Sequence, residues 1–176
     1  NGKAIAAGHF FKNIGQGNKS GELGQEEVVE LNEFDVVWLR QDPPFDMHYI
    51  TTTFILDAVT AQTLVVNDPF WVRNFPEKLL VLNFPELIPP TTITRDINVL
   101  KAFKEKHGDI ILKPLYGNGG SGVLRLNLND QNLESIVEMY SNFSREPLVA
   151  QKFLPQVNKG DKRIILVNGD PVGAIN

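Results

Sequence analysis

A lysine inside an apolar strand, followed at once by a glycine-rich loop, is a combination that can hold a polyphosphate. The run Ile110, Ile111, Leu112, Lys113, Pro114, Leu115, Tyr116 leads into Gly117, Asn118, Gly119, Gly120, Ser121 and Gly122. An ammonium group in a buried strand costs free energy unless its charge is partnered. Four glycines within residues 117–122 give up backbone entropy, about 0.5–1 kcal/mol each relative to alanine. What they allow is close approach of backbone N–H groups to an anion. A cation at the base of a donor-rich loop is therefore a cradle for phosphates. The plainer alternative is a tight loop after a strand whose lysine reaches out to water.

Neither familiar nucleotide signature is present. A Walker A loop needs glycine, lysine and serine or threonine in succession, and none follows here. A dinucleotide loop opens a helix, whereas residues 123–127, VLRLN, read as a strand. Strand, glycine loop, strand makes the loop a flap over phosphates. Upstream, residues 15–20, GQGNKS, imitate a P-loop, but Asn18 stands where glycine must precede the lysine. That segment reads as a surface loop.

The elements that must position these residues follow from periodicity. Residues 1–34 are rich in Gly, Asn and Glu and predict irregular structure, with a short helix near residues 26–31. Residues 35–40, DVVWLR, form a buried strand because the apolar residues are contiguous. Met47, Ile50, Phe54 and Ala58 recur at helical spacing. TLVVN is a second strand, and residues 77–84 form a short helix between Pro76 and Pro85. After Pro89 and Pro90 come a strand at TTITR and a helix capped by Asp96, with Ile97, Leu100 and Phe103 inward. DIILKPL and VLRLN flank the glycine loop as strands. Asp130 caps a further helix, whose stripe is Leu133, Ile136, Val137 and Tyr140. LVAQKFL is a strand, and residues 163–175 form a hairpin turning at Asn168 and Gly169. Alternating strands and helices place the chain in the α/β class, with a boundary near residue 88.

Composition narrows the function classes. The 176 residues are 42% hydrophobic, with 17 basic and 21 acidic side chains and a formal charge of −4. That balance speaks against a nonspecific nucleic-acid binder. No apolar run approaches the length of about 18 residues that a membrane helix needs. There is no cysteine, which removes disulfides, thiolate nucleophiles and cysteine metal sites. With no secretory signal visible, the expected compartment is the cytoplasm. His9, His48 and His107 are dispersed and suggest no metal site. Both ends read as cut, which predicts a piece of a larger protein.

Three segments, LKPLYGNGGSGV (112–123), QKFLP (151–155) and GDKRIILVNGDPV (160–172), resemble the ATP-grasp ligases in order and spacing. RQDPPFD (40–46), VNDP (66–69) and EKL (77–79) narrow the resemblance to bacterial glutathione synthetase. RQDPPFD is the most family-specific of these, while LKPL with the glycine loop is shared by many ATP-grasp enzymes. The resemblance runs over nearly the whole chain but covers only the middle of the family's fold.

What the resemblance implies is specific. The fold would be an ATP-grasp fragment preceded by part of a substrate domain. Residues 1–88 would end that substrate domain, 89–150 would form the central ATP-grasp subdomain, and 151–176 would begin the C-terminal one. Lys78 and Lys113 would contact the ATP phosphates, under a flap of Gly117, Asn118, Gly119, Gly120, Ser121 and Gly122. Gln151, Lys152, Phe153 and Leu154 would lie along the adenine, with backbone groups of Lys152 and Leu154 reading its edge. Asp161 would sit near the nucleotide and Arg163 near the reacting carboxylate. Arg40, Asp42 and Asp46 would line the substrate side.

Each of these residues also has a bland reading, as helix lysine, core side chain, turn aspartate or surface arginine. Arg125 alternates outward on its strand and reads as solvated. The implied reaction joins γ-glutamylcysteine to glycine through an acyl phosphate, with ATP and Mg2+ as cofactors. The magnesium ligands are expected beyond residue 176, so no metal site is assigned within this chain. The expected partners are small molecules, with neither nucleic acid nor membrane, and the family leaves room for a homo-oligomer. Alternatives are another ATP-grasp carboxylate–amine ligase or a nucleotide-binding module that does no chemistry.

Overall fold

The computed structural model describes residues 3–15 and 21–176. The P-loop imitation therefore lies largely outside the described residues. Two compact units divide the chain, Asn1–Leu80 and Val81–Asn176.

The first unit opens on a long antiparallel hairpin, β1 (Ile5–Asn13) with β2 (Glu22–Glu30), where irregular structure and a short helix were expected. Glutamates are good helix formers, so residues 26–31 look helical in isolation. Cross-strand pairing overrides that preference. Ile5 faces Glu30 and Asn13 faces Glu22. Lys12 and Glu22 pair at 3.1 Å, and Lys3 pairs with Glu30.

Beyond a 3-10 turn at Leu31–Glu33, β3 (Val36–Trp38) lies parallel to β4 (Leu64–Val66). Parallel neighbours need a crossover, and α1 (Met47–Asp57) supplies it. Asp46 caps α1 by accepting the Tyr49 N–H at 3.0 Å. The buried positions of α1 are Thr53 and Leu56, so its inward face runs beside the stripe of Met47 and Phe54, which stay exposed. Leu56 packs with Ala4, Leu39, Val59 and Val65.

Sequence periodicity missed α2 (Pro69–Asn74), a helix of six residues. Its start is encoded locally. Asp68 accepts the Phe70 N–H at 2.8 Å, and Pro69 takes the first position, where no N–H is needed. Arg73 of α2 reaches back to Asp57 at 2.7 Å and lies 4.3 Å over the Phe54 ring. The short α3 (Glu77–Leu80) closes the unit.

The second unit is built on a four-stranded antiparallel sheet. In spatial order its strands are β5 (Thr91–Thr94), β8 (Leu148–Lys152), β6 (Ile110–Pro114) and β7 (Leu124–Leu126). Two helices supply the core of one face, α4 (Ile97–His107) and α5 (Leu133–Phe143). Leu100 and Val137 of the helices pack with Ile110, Leu112, Leu126, Leu148 and Ala150 of the strands. Asp96 caps α4 as expected, accepting the Asn98 N–H at 2.8 Å. Asp130 does not cap α5. The helix starts later, after Asn132, and Asp130 accepts the Asn132 N–H at 3.0 Å in the preceding turn. The expected hairpin is present as β9 (Arg163–Val167) and β10 (Asp170–Ile175). Asn168 (φ 52°) and Gly169 (φ 89°) give the two positive φ angles its tight turn requires.

Candidate nucleotide site

Strand β6 sorts its side chains by period two. Ile110 and Leu112 point at the helices and are fully buried. Ile111 and Lys113 therefore belong to the opposite face. Register extends that face sideways. Lys113 stands opposite Val149, and Ile111 stands between Gln151 of β8 and Arg125 of β7. Lys113 and Gln151 are thus diagonal neighbours on one face. The Gln151 amide donates to Thr91 Oγ1 at 2.9 Å across to β5, which fixes its orientation.

Lys152 is on the other side. It pairs with Ile110, and its charge reaches His107 at the end of α4. Burial first, then the charges of Lys106 and Lys152, lower the His107 pKa below the ordinary histidine value. The Lys152 N–H donates to the Pro90 carbonyl at 2.9 Å, so that amide already serves the fold. The Phe153 N–H likewise donates to the Asp109 carbonyl at 2.9 Å. Among the described residues, the Leu154 N–H has no such acceptor.

Phe153 is half-buried under Arg125, which is exposed as its outward place on β7 predicts and yet has partners. The Arg125 guanidinium lies 3.8 Å from the Phe153 ring centre and donates to Asp109 at 2.6 Å. The second Asp109 oxygen accepts the Leu128 N–H at 3.0 Å. The Arg125 bond, followed by that amide, holds the Asp109 carboxyl below the usual carboxylate range. Alternation along β7 does place Arg125 on the face of Lys113, and that was the available clue.

The glycine loop connects β6 to β7 with its two feet on one proline. A Cβ at Gly117 would lie 3.2 Å from Pro114 Cγ, and one at Gly122 would lie 2.9 Å from the same atom. Gly122 also has φ +68°, a conformation that other residues resist. At Gly119 and Gly120 the surroundings are open. Inside the loop, the Ser121 N–H donates to the Asn118 carbonyl at 3.0 Å and the Val123 N–H to the Gly120 carbonyl at 3.2 Å.

The other expected residues lie on separate elements. Asp161 and Arg163 are exposed, and Arg163 faces Ile175 across the hairpin. In the first unit, the Lys78 side chain is only 15% exposed and pairs with Glu77 at 3.2 Å, so it is not an exposed helix lysine. Arg40 and Asp42 are exposed beside a cis Pro43–Pro44 bond, and Asp46 serves as the helix cap. Among the described residues, no three histidine, aspartate or glutamate side chains come together to hold a metal ion. No helix among them is long and apolar enough to cross a membrane.

The prokaryotic glutathione synthetase ATP-grasp domain matches residues 77–176, and the N-terminal domain of the same family matches residues 1–73. Glutathione synthetase of Mesorhizobium japonicum is 57% identical over 88% of this chain and 49% of its own length. That of Vibrio parahaemolyticus is 44% identical over 97% of this chain and 54% of its own. The chain therefore spans about half the length of the curated relatives it matches. Among solved structures, D-cycloserine synthetase DcsG aligns with TM-score 0.56 at 15% identity, over 76% of this chain and 48% of that one. An ATP-grasp RimK domain protein from Sphaerobacter thermophilus aligns at 0.52 and 22% identity, over 66% and 46%. At such identities these two show the fold, which is ATP-grasp.

Proposed function

The chain belongs to the prokaryotic glutathione synthetase family, and on that premise we propose that the protein carrying it joins γ-glutamylcysteine to glycine. ATP would phosphorylate the cysteinyl carboxylate to an acyl phosphate and leave as ADP. The glycine amine would then attack the acyl carbon, expelling phosphate and leaving glutathione. The observation that carries this reading is the shared face of Lys113 and Gln151 beside a loop whose feet are packed and whose tip is open.

Each residue then has a task that its surroundings suit. A carboxylate is a poor electrophile toward an amine, and as the nucleophile toward ATP its charge repels the γ-phosphate. Lys113 and Lys78 would offset that charge as it develops on the transferred phosphoryl group. Residues 117–122 would close over the phosphates and exclude water. Gln151, Lys152, Phe153 and Leu154 would lie along the adenine, with backbone groups of Lys152 and Leu154 reading its edge, while the N–H groups of Lys152 and Phe153 are already committed to the fold. Arg163 would orient the reacting carboxylate, Asp161 would sit beside the nucleotide, and Arg40, Asp42 and Asp46 would line the dipeptide side.

Magnesium neutralises phosphate charge in such reactions. The described residues gather no carboxylate cluster that fits it, so no step is assigned to the ion in this chain. The residue spans 1–88, 89–150 and 151–176 are the domain division that accompanies this proposal, with small molecules as partners and the cytoplasm as compartment.

The test is ADP release by the full-length protein. Turnover is expected only when γ-glutamylcysteine and glycine are both present. Equal turnover with other acceptor amines would favour a different carboxylate–amine ligase. Nucleotide binding without ADP release would favour a non-catalytic module.

A further inference from the structure

The glycine loop has a tether that the nucleotide chemistry does not use. The Tyr140 hydroxyl on α5 donates to the Gly122 carbonyl. The Tyr140 ring closes on the same residue, because a Cβ at Gly122 would lie 3.5 Å from Tyr140 Cε1. On its other side Gly122 meets Pro114, the neighbour of Lys113. Gly122 is thus held between β6 and α5, by a ring on one side and a pyrrolidine on the other. The tip at Gly119 and Gly120 touches neither.

Resting on the reading of residues 117–122 as a phosphate flap, we infer that Tyr140 is a positioning residue for nucleotide binding. It fixes the distal foot of the flap relative to Lys113 through the Gly122 carbonyl, so that only the tip has to move when phosphates enter. Burial raises the Tyr140 pKa, so the hydroxyl keeps its proton, and with it the donor, across the neutral range. The ring also lines a pocket of about 340 Å3 with Pro114, Leu115, Gly117 and Phe143. Truncating the side chain would open that pocket. Removing the oxygen alone leaves the wall in place.

Tyr140→Phe in the full-length protein is therefore the informative variant. A single lost hydrogen bond corresponds to a change of roughly two- to tenfold in an equilibrium. The KM for ATP is expected to rise by about that factor, with kcat and the KM for glycine changed by less than about twofold. In the ligand-free protein, amide exchange at Ser121 and Val123 is expected to quicken by a similar factor. Tyr140→Leu, which loses ring and hydroxyl together, is expected to shift both further. Unchanged exchange in Tyr140→Phe overturns the tether. Quickened exchange with an unchanged KM for ATP overturns the positioning role. A wild-type protein without nucleotide affinity sinks the ligase reading and the positioning role with it, while the exchange result still judges the tether alone.

Discussion

The Arg125 guanidinium lies 3.8 Å over the Phe153 ring, and Asp109 holds it there through a 2.6 Å ion pair. Asp109 also receives the Phe153 N–H on its own carbonyl. One residue just ahead of β6 therefore fixes both the backbone of Phe153 and the cation that covers its ring. The strand end that would receive adenine is braced from β7 rather than from the core.

Arg125→Ala tests the brace. A cation over an aromatic ring at a half-exposed site is worth about 0.5–1 kcal/mol. The urea midpoint is expected to fall by a corresponding amount. Lysine at this position is expected to recover only part of the loss, since it lacks the planar guanidinium that both stacks and pairs. A midpoint for Arg125→Ala equal to wild type would mean that the stack carries no energy.

Acid stability should carry the mark of the same pair. Asp109 is held below the usual carboxylate range by Arg125 first and the Leu128 N–H second. Glu134 is lowered by its bond to Lys101. A depressed carboxylate contributes stability above its unfolded value, near 3.9 for aspartate, and that contribution is lost as pH falls through the lower folded value. Asp109→Asn is expected to be less stable than wild type at neutral pH and to flatten the decline below about pH 4. Circular dichroism along an acid titration measures it. Parallel acid limbs for variant and wild type would rule the linkage out.

How far these features could be read from the sequence depended on whether their signal is local. Strands β6 and β8 are legible because their runs IIL and LVA are apolar on both faces, and α4 because Asp96 announces it. The β1–β2 hairpin is not legible, since His9, Glu26, Lys12 and Glu22 pair across the chain without any apolar alternation. Lys113 and its loop stand out because a lysine and four glycines are costly where they lie. Arg125 and Tyr140 do not. Period two says that Arg125 leaves the helix side, but not that Phe153 awaits it there. Helical spacing likewise says that the Tyr140 ring turns inward, but not that its hydroxyl finds Gly122.

Lys152 and His107 give a test of strand facing. Register puts Lys152 on the side of α4, opposite Ile110, where its charge disfavours the imidazolium of His107. His107 should titrate below the free histidine value in an NMR pH series. Removing the charge with Lys152→Met should move the midpoint upward, because one of the repelling cations is gone. A downward shift, or none, would mean that the side chain points the other way.

Gly122 and Gly120 separate packing from backbone strain. Both have positive φ, at +68° and +76°. Alanine at either should lose about 1–2 kcal/mol to the left-handed conformation. Only Gly122 adds a 2.9 Å approach to Pro114 Cγ, so Gly122→Ala is expected to be the less stable of the two by thermal unfolding. Equal losses would show that the foot of the loop yields freely.

Lys113→Met addresses the phosphate cradle itself. Methionine reproduces the unbranched stem of lysine without its ammonium and suits the half-buried position beside Val149, so the fold is expected to survive with little change in melting temperature. The chemistry is not. Removing one charge aimed at a developing anion typically costs about 100- to 1000-fold in turnover, and kcat/KM for ATP in the full-length protein should fall by that order. Arginine should restore less than its charge suggests, because its broader head does not occupy the point position of an ammonium. If Lys113→Met retained activity within about threefold of wild type, less than about 0.7 kcal/mol by the tenfold-per-1.4 rule, the lysine would not be facing phosphate. The glycine loop would then be a turn between two strands and nothing more.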